Sequence, residues 1–219
     1  MNDFFPQLWL FDLRPYFSDG RWRQLLPLLD DKRRERALSC RREEDAARIA
    51  GAGALSSHAL RVCGVPREQQ QIYYDSFGRP VLSSGAISLS LSHAGRYAAC
   101  ALDTACVGVD VEMPRVTMAV AERFFSSEEL SFLHTLSPAQ RADALTRLWT
   151  AKEAYTKMLG RGLSVPFSSF CVVLQENGAS LRKDGRPLPA LLHEYRLEGG
   201  RVCLCCHAPR PEIRWFSPE

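Results

Sequence analysis

The chain has 219 residues, of which 46% are hydrophobic, and it carries a formal net charge of +3 with a pI near 8.5. That length allows one domain or two small ones, and the apolar fraction is that of a packed globular protein. Mild basicity suits an anionic ligand without implying nucleic acid, no apolar run is long enough to span a bilayer, and the opening MNDFFPQLWLF lacks the basic start of a secretory leader.

Residues 7–13 read as a strand, and Trp22 with Leu25–Leu29 as a short helix. The longest helical stretch is 30–63. Its first half is dense in Arg and Glu, and its second is small and apolar, with Ile49, Leu55 and Leu60 as core contacts. Asp30 or Asp31 can cap a first helix there, and Glu43, Glu44 and Asp45 can open a second. Gly64-Val65-Pro66 ends it. Residues 71–82 read as strand, turn and strand. AISLSLS (86–92) alternates apolar and hydroxyl side chains, as a half-buried strand does. YAACAL and CVGVDVE, separated by a turn at Asp103-Thr104, are expected to be antiparallel neighbours.

Residues 115–120 read as a link. Ser126-Ser127-Glu128-Glu129 is a capping-box pattern that opens a helix. Ser137-Pro138 opens another. That one runs through LWTAKEAYTKML to Gly160, where glycine can take the left-handed cap. Helical spacing lines up Trp149, Glu153 and Lys157 on one face and leaves Ala151, Tyr155 and Met158 for a core. Strands are expected at 170–174, 193–197 and 201–207, and the Pro-rich tail is expected to be irregular. This mixed order fits an α+β fold better than a doubly wound sheet. A boundary near residue 105 divides it into two similar halves, 1–105 and 106–219. Of the eight cysteines, Cys100, Cys106, Cys171 and Cys203 sit in strand-like apolar runs as small hydrophobes, so reduced thiols and a cytoplasmic location are expected.

Three constellations can carry chemistry. In a strand, residues two apart share a face, so GVDVE sets Asp110 beside Glu112. Paired acids repel unless a cation joins them, and hard oxygen ligands suit Mg²⁺. A lone D-x-E is more often a solvated strand face; Glu153 from the later helix adds a third carboxylate and shifts that balance. The second constellation is basic: Arg33, Arg34, Arg36, Arg41, Arg42 and Arg48 on the early helices, with Arg79 beside a tight turn. Arginine binds phosphate bidentately, although Glu35, Glu43 and Glu44 offer a plain solvated-helix alternative. The third is Ser92-His93, a base, a phosphate ligand or a turn pair. Cys203, Cys205, Cys206 and His207 are spaced too tightly for a usual zinc site. There is no G-x-x-x-x-G-K-[ST] and no pattern for nucleic-acid readout.

LSLSHAGRYAACAL (89–102), VGVDVE (107–112), and FFSSEEL followed by LWTAKEAYTKMLGRGL (124–163) together resemble the 4′-phosphopantetheinyl transferases of the Sfp type. KRRERALSCRREEDAARIAGAGAL is similar to that family's first helix region. The resemblance spans most of residues 25–165. It implies a pseudo-twofold monomer of two α+β halves, with coenzyme A between them as co-substrate and Mg²⁺ as cofactor. The implied reaction moves phosphopantetheine to a serine of an apo acyl or peptidyl carrier protein and releases adenosine 3′,5′-bisphosphate. Fatty-acid, polyketide and nonribosomal-peptide carriers all offer such a serine.

Residue by residue, the resemblance makes Asp110, Glu112 and Glu153 the metal ligands, with Lys152 and Lys157 flanking the helix acid. Arg33, Arg36 and Arg48 fall where the family's basic residues meet the 3′-phosphate. Arg79 stands in for a lysine before proline, and Ser92-His93 match an S-H pair. Glu153 is then the candidate base and Lys157 the group that neutralises the leaving phosphate. Carrier recognition is expected near Val116–Leu136. A metal-dependent nuclease and a non-catalytic coenzyme A or carrier-binding module are the alternative readings.

Overall fold

A computed structural model describes residues 6–218; residues 1–5, part of the opening read above for a leader, and Glu219 lie outside it. The fold is α+β, with two sheets. The strands are β1 (Gln7–Asp12), β2 (Ile72–Tyr74), β3 (Pro80–Leu82), β4 (Ser88–Ala94), β5 (Tyr97–Asp103), β6 (Gly108–Glu112), β7 (Cys171–Gln175), β8 (Gly178–Lys183), β9 (Arg186–Pro187), β10 (Leu191–Leu197), β11 (Gly200–Cys206) and β12 (Ile213–Trp215). The α-helices are α1 (Asp31–Leu38), α2 (Glu43–Val62), α3 (Met118–Phe124), α4 (Ser127–Thr135) and α5 (Pro138–Leu159). The first sheet runs β12-β1-β5-β4-β3-β2, and the second runs β6-β11-β10-β8-β7 with β9 on β8.

Local chemistry sets the helix ends. Asp30 caps α1 by accepting from the Arg33 N–H, and Gly160 takes φ +68° to close α5. The expected capping box forms between Ser126 and Glu129, and the expected cap at Ser137 proves to be a second box, closed by Gln140. Ser39–Arg42 separate α1 from α2.

Period-two alternation builds the layers. On β5, Ala98, Cys100 and Leu102 join the core beneath α2, while Tyr97, Ala99 and Ala101 join a second core between the sheets. On β11, Val202, Leu204 and Cys206 meet that central core, while Cys203 and Cys205 face α5. The molecule is thus helix, sheet, sheet, helix. Alanine and glycine over residues 46–54 let α2 lie close on its sheet; a Cβ on Gly51 would strike the Leu13 side chain. Gly108 does the same for α5, since a Cβ there would run into the Ala154 carbonyl.

Three expectations are corrected. β5 and β6 are not hydrogen-bonded neighbours: β1 and β4 already take both edges of β5, and β6 pairs with β11. The supposed link before Phe124 is partly helix, as α3 begins at Met118. The tail is not irregular throughout. Its segment β12 pairs in parallel with β1, and the Phe216 N–H donates to the Leu10 carbonyl. Phe216 is 7% exposed and meets Phe11 edge-on at 4.8 Å, so the tail completes the first sheet and its core. Truncating this buried aromatic should cost about 3 kcal/mol. Phe216→Ala is expected to lower the urea midpoint of unfolding accordingly, and an unchanged midpoint would show that the tail is not part of the cooperative core.

Candidate active site

The acids meet the bases at the seam between the sheets. β6 is an edge strand, and an edge leaves backbone N–H groups in need of acceptors. The β4 serines supply them: Ser90 Oγ accepts from the Val109 N–H at 2.9 Å, and Ser92 Oγ from the Val111 N–H at 3.3 Å. This is the use of the hydroxyl alternation in SLSLS. Ser92 then donates to Asp110 Oδ1 at 2.7 Å. With Val109 and Val111 turned to the central core, Asp110 and Glu112 face α5. Lys157 of α5 donates to the same Asp110 oxygen at 2.6 Å.

A cleft of about 410 Å³ opens here. Its lining includes Arg33 and Arg36 from α1, Ser92 and His93 from the end of β4, Asp110 and Glu112 from β6, and Glu153 and Lys157 from α5. A smaller annex of about 210 Å³ adjoins it at Glu153 and Lys157 and is walled by Arg79 and the Gly160 turn. A larger groove of about 940 Å³, between α2, β2 and the tail, contains none of these acids.

Charge is concentrated in the cleft. Burial, then the Asp110 and Glu153 carboxylates, push Glu112 up to about 7 against the pull of Lys157 and the Trp149 indole. Burial and Asp110 also raise Glu153, again opposed by Lys157. Desolvation lowers His93, as do the cations Lys157, Arg48 and Arg36. Asp110 is 3% exposed, and its second oxygen, Oδ2, is buried with no hydrogen-bond partner among the described residues. The Arg33 Nε is buried and ion-paired with Asp30 at 3.5 Å but makes no hydrogen bond among the described residues, and its stem lies against Gly53. Among the described residues, no three His, Cys, Asp or Glu side chains converge tightly enough to cage a metal ion as they stand. The donor set nonetheless suits a hard divalent cation: three carboxylates on one cleft, one with a buried oxygen free of hydrogen bonds among the described residues and two raised by burial and by neighbouring carboxylates.

The sequence profile described as the 4′-phosphopantetheinyl transferase superfamily matches residues 106–206. A 4′-phosphopantetheinyl transferase of Bacillus subtilis is 31% identical over 197 residues, covering 88% of each chain. The transferase psf-1 of Bacillus pumilus is 33% identical over 85% of this chain and 82% of its own. The transferase Sfp of Bacillus subtilis strain 168 is 27% identical, covering 84% of each. The chain belongs to the Sfp-type 4′-phosphopantetheinyl transferases.

Membership in that enzyme class removes the nuclease reading. In this transferase, three expected site residues sit apart from the main cleft. Lys152 is fully buried; its Nζ donates to the Phe167 and Phe170 carbonyls at 2.6 and 2.9 Å and pairs with Glu129 Oε1 at 2.9 Å. All three ammonium donors are spent, so it has none left for a ligand. Arg48 donates to Glu44, Asp45 and the Gly95 carbonyl, each at 2.9 Å, and is not part of the cleft lining; its charge still reaches His93. Arg79 pairs with Asp75 at 3.2 Å and lies over Gly160, in the annex. Cys203, Cys205 and Cys206 are buried strand thiols without disulfides. Trp149 packs with Phe124, Phe125 and Phe167. The sequence reading missed Glu129 as more than a cap and Ser90 as a seam residue; hydroxyls at every second position beside an edge strand were the available signal for the latter.

Two outcomes check this geometry. A carboxyl whose folded pKa is raised loses stability as pH rises from its ordinary value near 4.5 through the folded value near 7. Glu112→Gln should therefore be more stable than the parent at pH 7.5, by about 3 kcal/mol at most, with the gap closing by pH 5. Urea unfolding at both pH values measures it, and a gap independent of pH would contradict the assignment. Ser92→Ala strips a buried acid of a hydrogen bond and should cost about 1–3 kcal/mol in the same assay.

Proposed function

We propose that this transferase uses coenzyme A as donor, with Mg²⁺, and attaches phosphopantetheine to a serine hydroxyl of an apo carrier protein. The observation that carries the reading is the pairing, in one cleft, of three carboxylates around Lys157 with an arginine-bearing wall. Acids to hold a cation and arginines to hold phosphates are what a substrate with both a pyrophosphate and a 3′-phosphate requires. The arginines of the wall come from α1 and His93 from the end of β4, before residue 105, and the acids come with Lys157 from β6 and α5, after it. We place the functional division there, with coenzyme A lying across it, and read the enzyme as a cytoplasmic monomer.

Asp110, Glu112 and Glu153 would hold the cation, which when bound offsets pyrophosphate charge. The serine oxygen forms a bond to the phosphorus that bears the pantetheine, and the bond from that phosphorus to the bridging oxygen breaks. Adenosine 3′,5′-bisphosphate leaves with the bond electrons. Glu153, raised by burial and by Asp110, takes the serine proton; a carboxylate pKa nearer neutrality makes a better base. Lys157, one turn further along α5, moves its charge from Asp110 toward the leaving phosphate. Arg33 and Arg36 bind the 3′-phosphate, and His93 at the cleft lip donates to a phosphate oxygen. The ridge formed by α3 and α4 faces the acceptor. It exposes Phe124 and Phe132, which suit the apolar centre of a protein interface.

Intact-mass analysis of an apo carrier incubated with coenzyme A and Mg²⁺ should show one phosphopantetheine added to its serine. Asp110→Ala and Glu153→Gln should each lower the rate at least about a hundredfold. Full transfer by either variant would remove the role given to that residue, and no transfer by the parent would remove the reading itself.

A further inference from the structure

The most completely satisfied polar cluster in the second half lies outside the cleft. Glu129 is 2% exposed and accepts four hydrogen bonds from three residues. Its Oε1 accepts from Lys152 Nζ at 2.9 Å and from the Val172 N–H at 2.7 Å. Its Oε2 accepts from the Ser126 N–H at 2.8 Å and from the Ser126 hydroxyl at 3.0 Å. Lys152 completes its own set on the Phe167 and Phe170 carbonyls, with the Phe170 ring 4.3 Å from Nζ. One ion pair thereby ties the start of α4, the middle of α5, the turn at residues 167–170 and the first residues of β7.

A capping box needs only the bonds between Ser126 and Glu129. The further bonds to Lys152 and Val172 are additional, and a buried ion pair is a poor stabiliser compared with an apolar pair of similar volume. Its merit is directional. Lys152 directly precedes Glu153, so fixing the Lys152 ammonium on three acceptors fixes the rotation of α5 that turns Glu153 to the cleft. The other end of the pair is rooted in the helix that, on the function proposed above, meets the acceptor. We propose that Glu129 and Lys152 are a positioning pair that holds α4 and α5 in one register, so that a serine docked on the first meets Glu153 on the second.

The proposal rests on that functional reading, and the test separates the two. Glu129→Gln keeps the shape but loses the charge and turns one of the two acceptor oxygens into a donor, so the amide oxygen keeps only the pair of bonds on its own side. The double variant Glu129→Leu with Lys152→Met replaces the pair by apolar side chains and so removes both buried charges, at the expense of the bonds to the Val172 N–H and the Phe167 and Phe170 carbonyls, and its urea midpoint is measured beside its kcat. In both, coenzyme A affinity by calorimetry is expected to stay within about threefold of the parent, because the arginine wall is untouched. The kcat for carrier modification is expected to fall about a hundredfold, the effect of misplacing a reacting group by about an ångström. A double variant that recovers midpoint and kcat together overturns the proposal, because the pair then serves stability alone. Should the double variant not fold, Glu129→Gln decides, and a kcat within twofold of the parent overturns it. If the parent modifies no carrier, the functional reading fails by itself. Amide exchange then judges the pair: faster exchange in both α4 and α5 of Glu129→Gln, with α2 unchanged, supports the joint register, and unchanged exchange in α4 and α5 sinks it.

Discussion

The close approach of α5 to β6 at Gly108 is the constraint on which the site depends. A helix ordinarily stands off a sheet by the height of the side chains between them. Here the strand presents a glycine where the helix crosses, and any Cβ would meet the Ala154 carbonyl. The helix therefore comes down onto the strand. Two residues along, Asp110 is near enough for the Lys157 ammonium to reach it at 2.6 Å. Alanine at position 108 would lift the helix and open that distance. The acid cluster is a consequence of backbone approach as much as of side-chain identity.

That approach also explains why the carboxylates are electrically unusual. Asp110 and Glu112 share a strand face, and Glu153 arrives from the helix pressed against it. Burial first, and then repulsion from neighbouring carboxylates, raise Glu112 and Glu153 against the opposing charge of Lys157. A cluster that resists its own ionisation is a favourable host for a divalent cation or for a proton in transit. The serines of β4 complete the arrangement by closing the outer edge of β6 with side chains, and Ser92 holds the buried Asp110 beside it.

Much of this was legible in the sequence, for local reasons. Capping boxes, the Gly160 stop and the alternation of GVDVE depend on neighbours a few residues apart, and they appear where the spacing placed them. So does the convergence of Asp110, Glu112, Glu153 and Lys157, because the family resemblance supplied the tertiary link that periodicity cannot. Long-range pairing was hidden. Nothing local in CVGVDVE says that it joins β11 and leaves β5 to β1 and β4, and nothing in a proline-rich tail says that Ile213–Trp215 find β1. Lys152 shows the limit of a motif: adjacent to Glu153 in sequence, it points into the protein about a hundred degrees around the helix, where its charge finds Glu129 and two carbonyls.

The parallel pairing of β12 with β1 sets an order of events for a chain made from its amino end. β1 is made long before β12, so one of its two edges stays open until residues 213–215 emerge. Through that interval the strand QLWLFD, apolar over most of its length, lacks its final neighbour and the Phe216 ring that covers Phe11. An open apolar edge is a template for pairing with other chains. The edge that β12 will fill thus stays open through synthesis of the whole second half, long after β5 has closed the other one, and a chaperone bound along it would cover the nascent sheet through that interval.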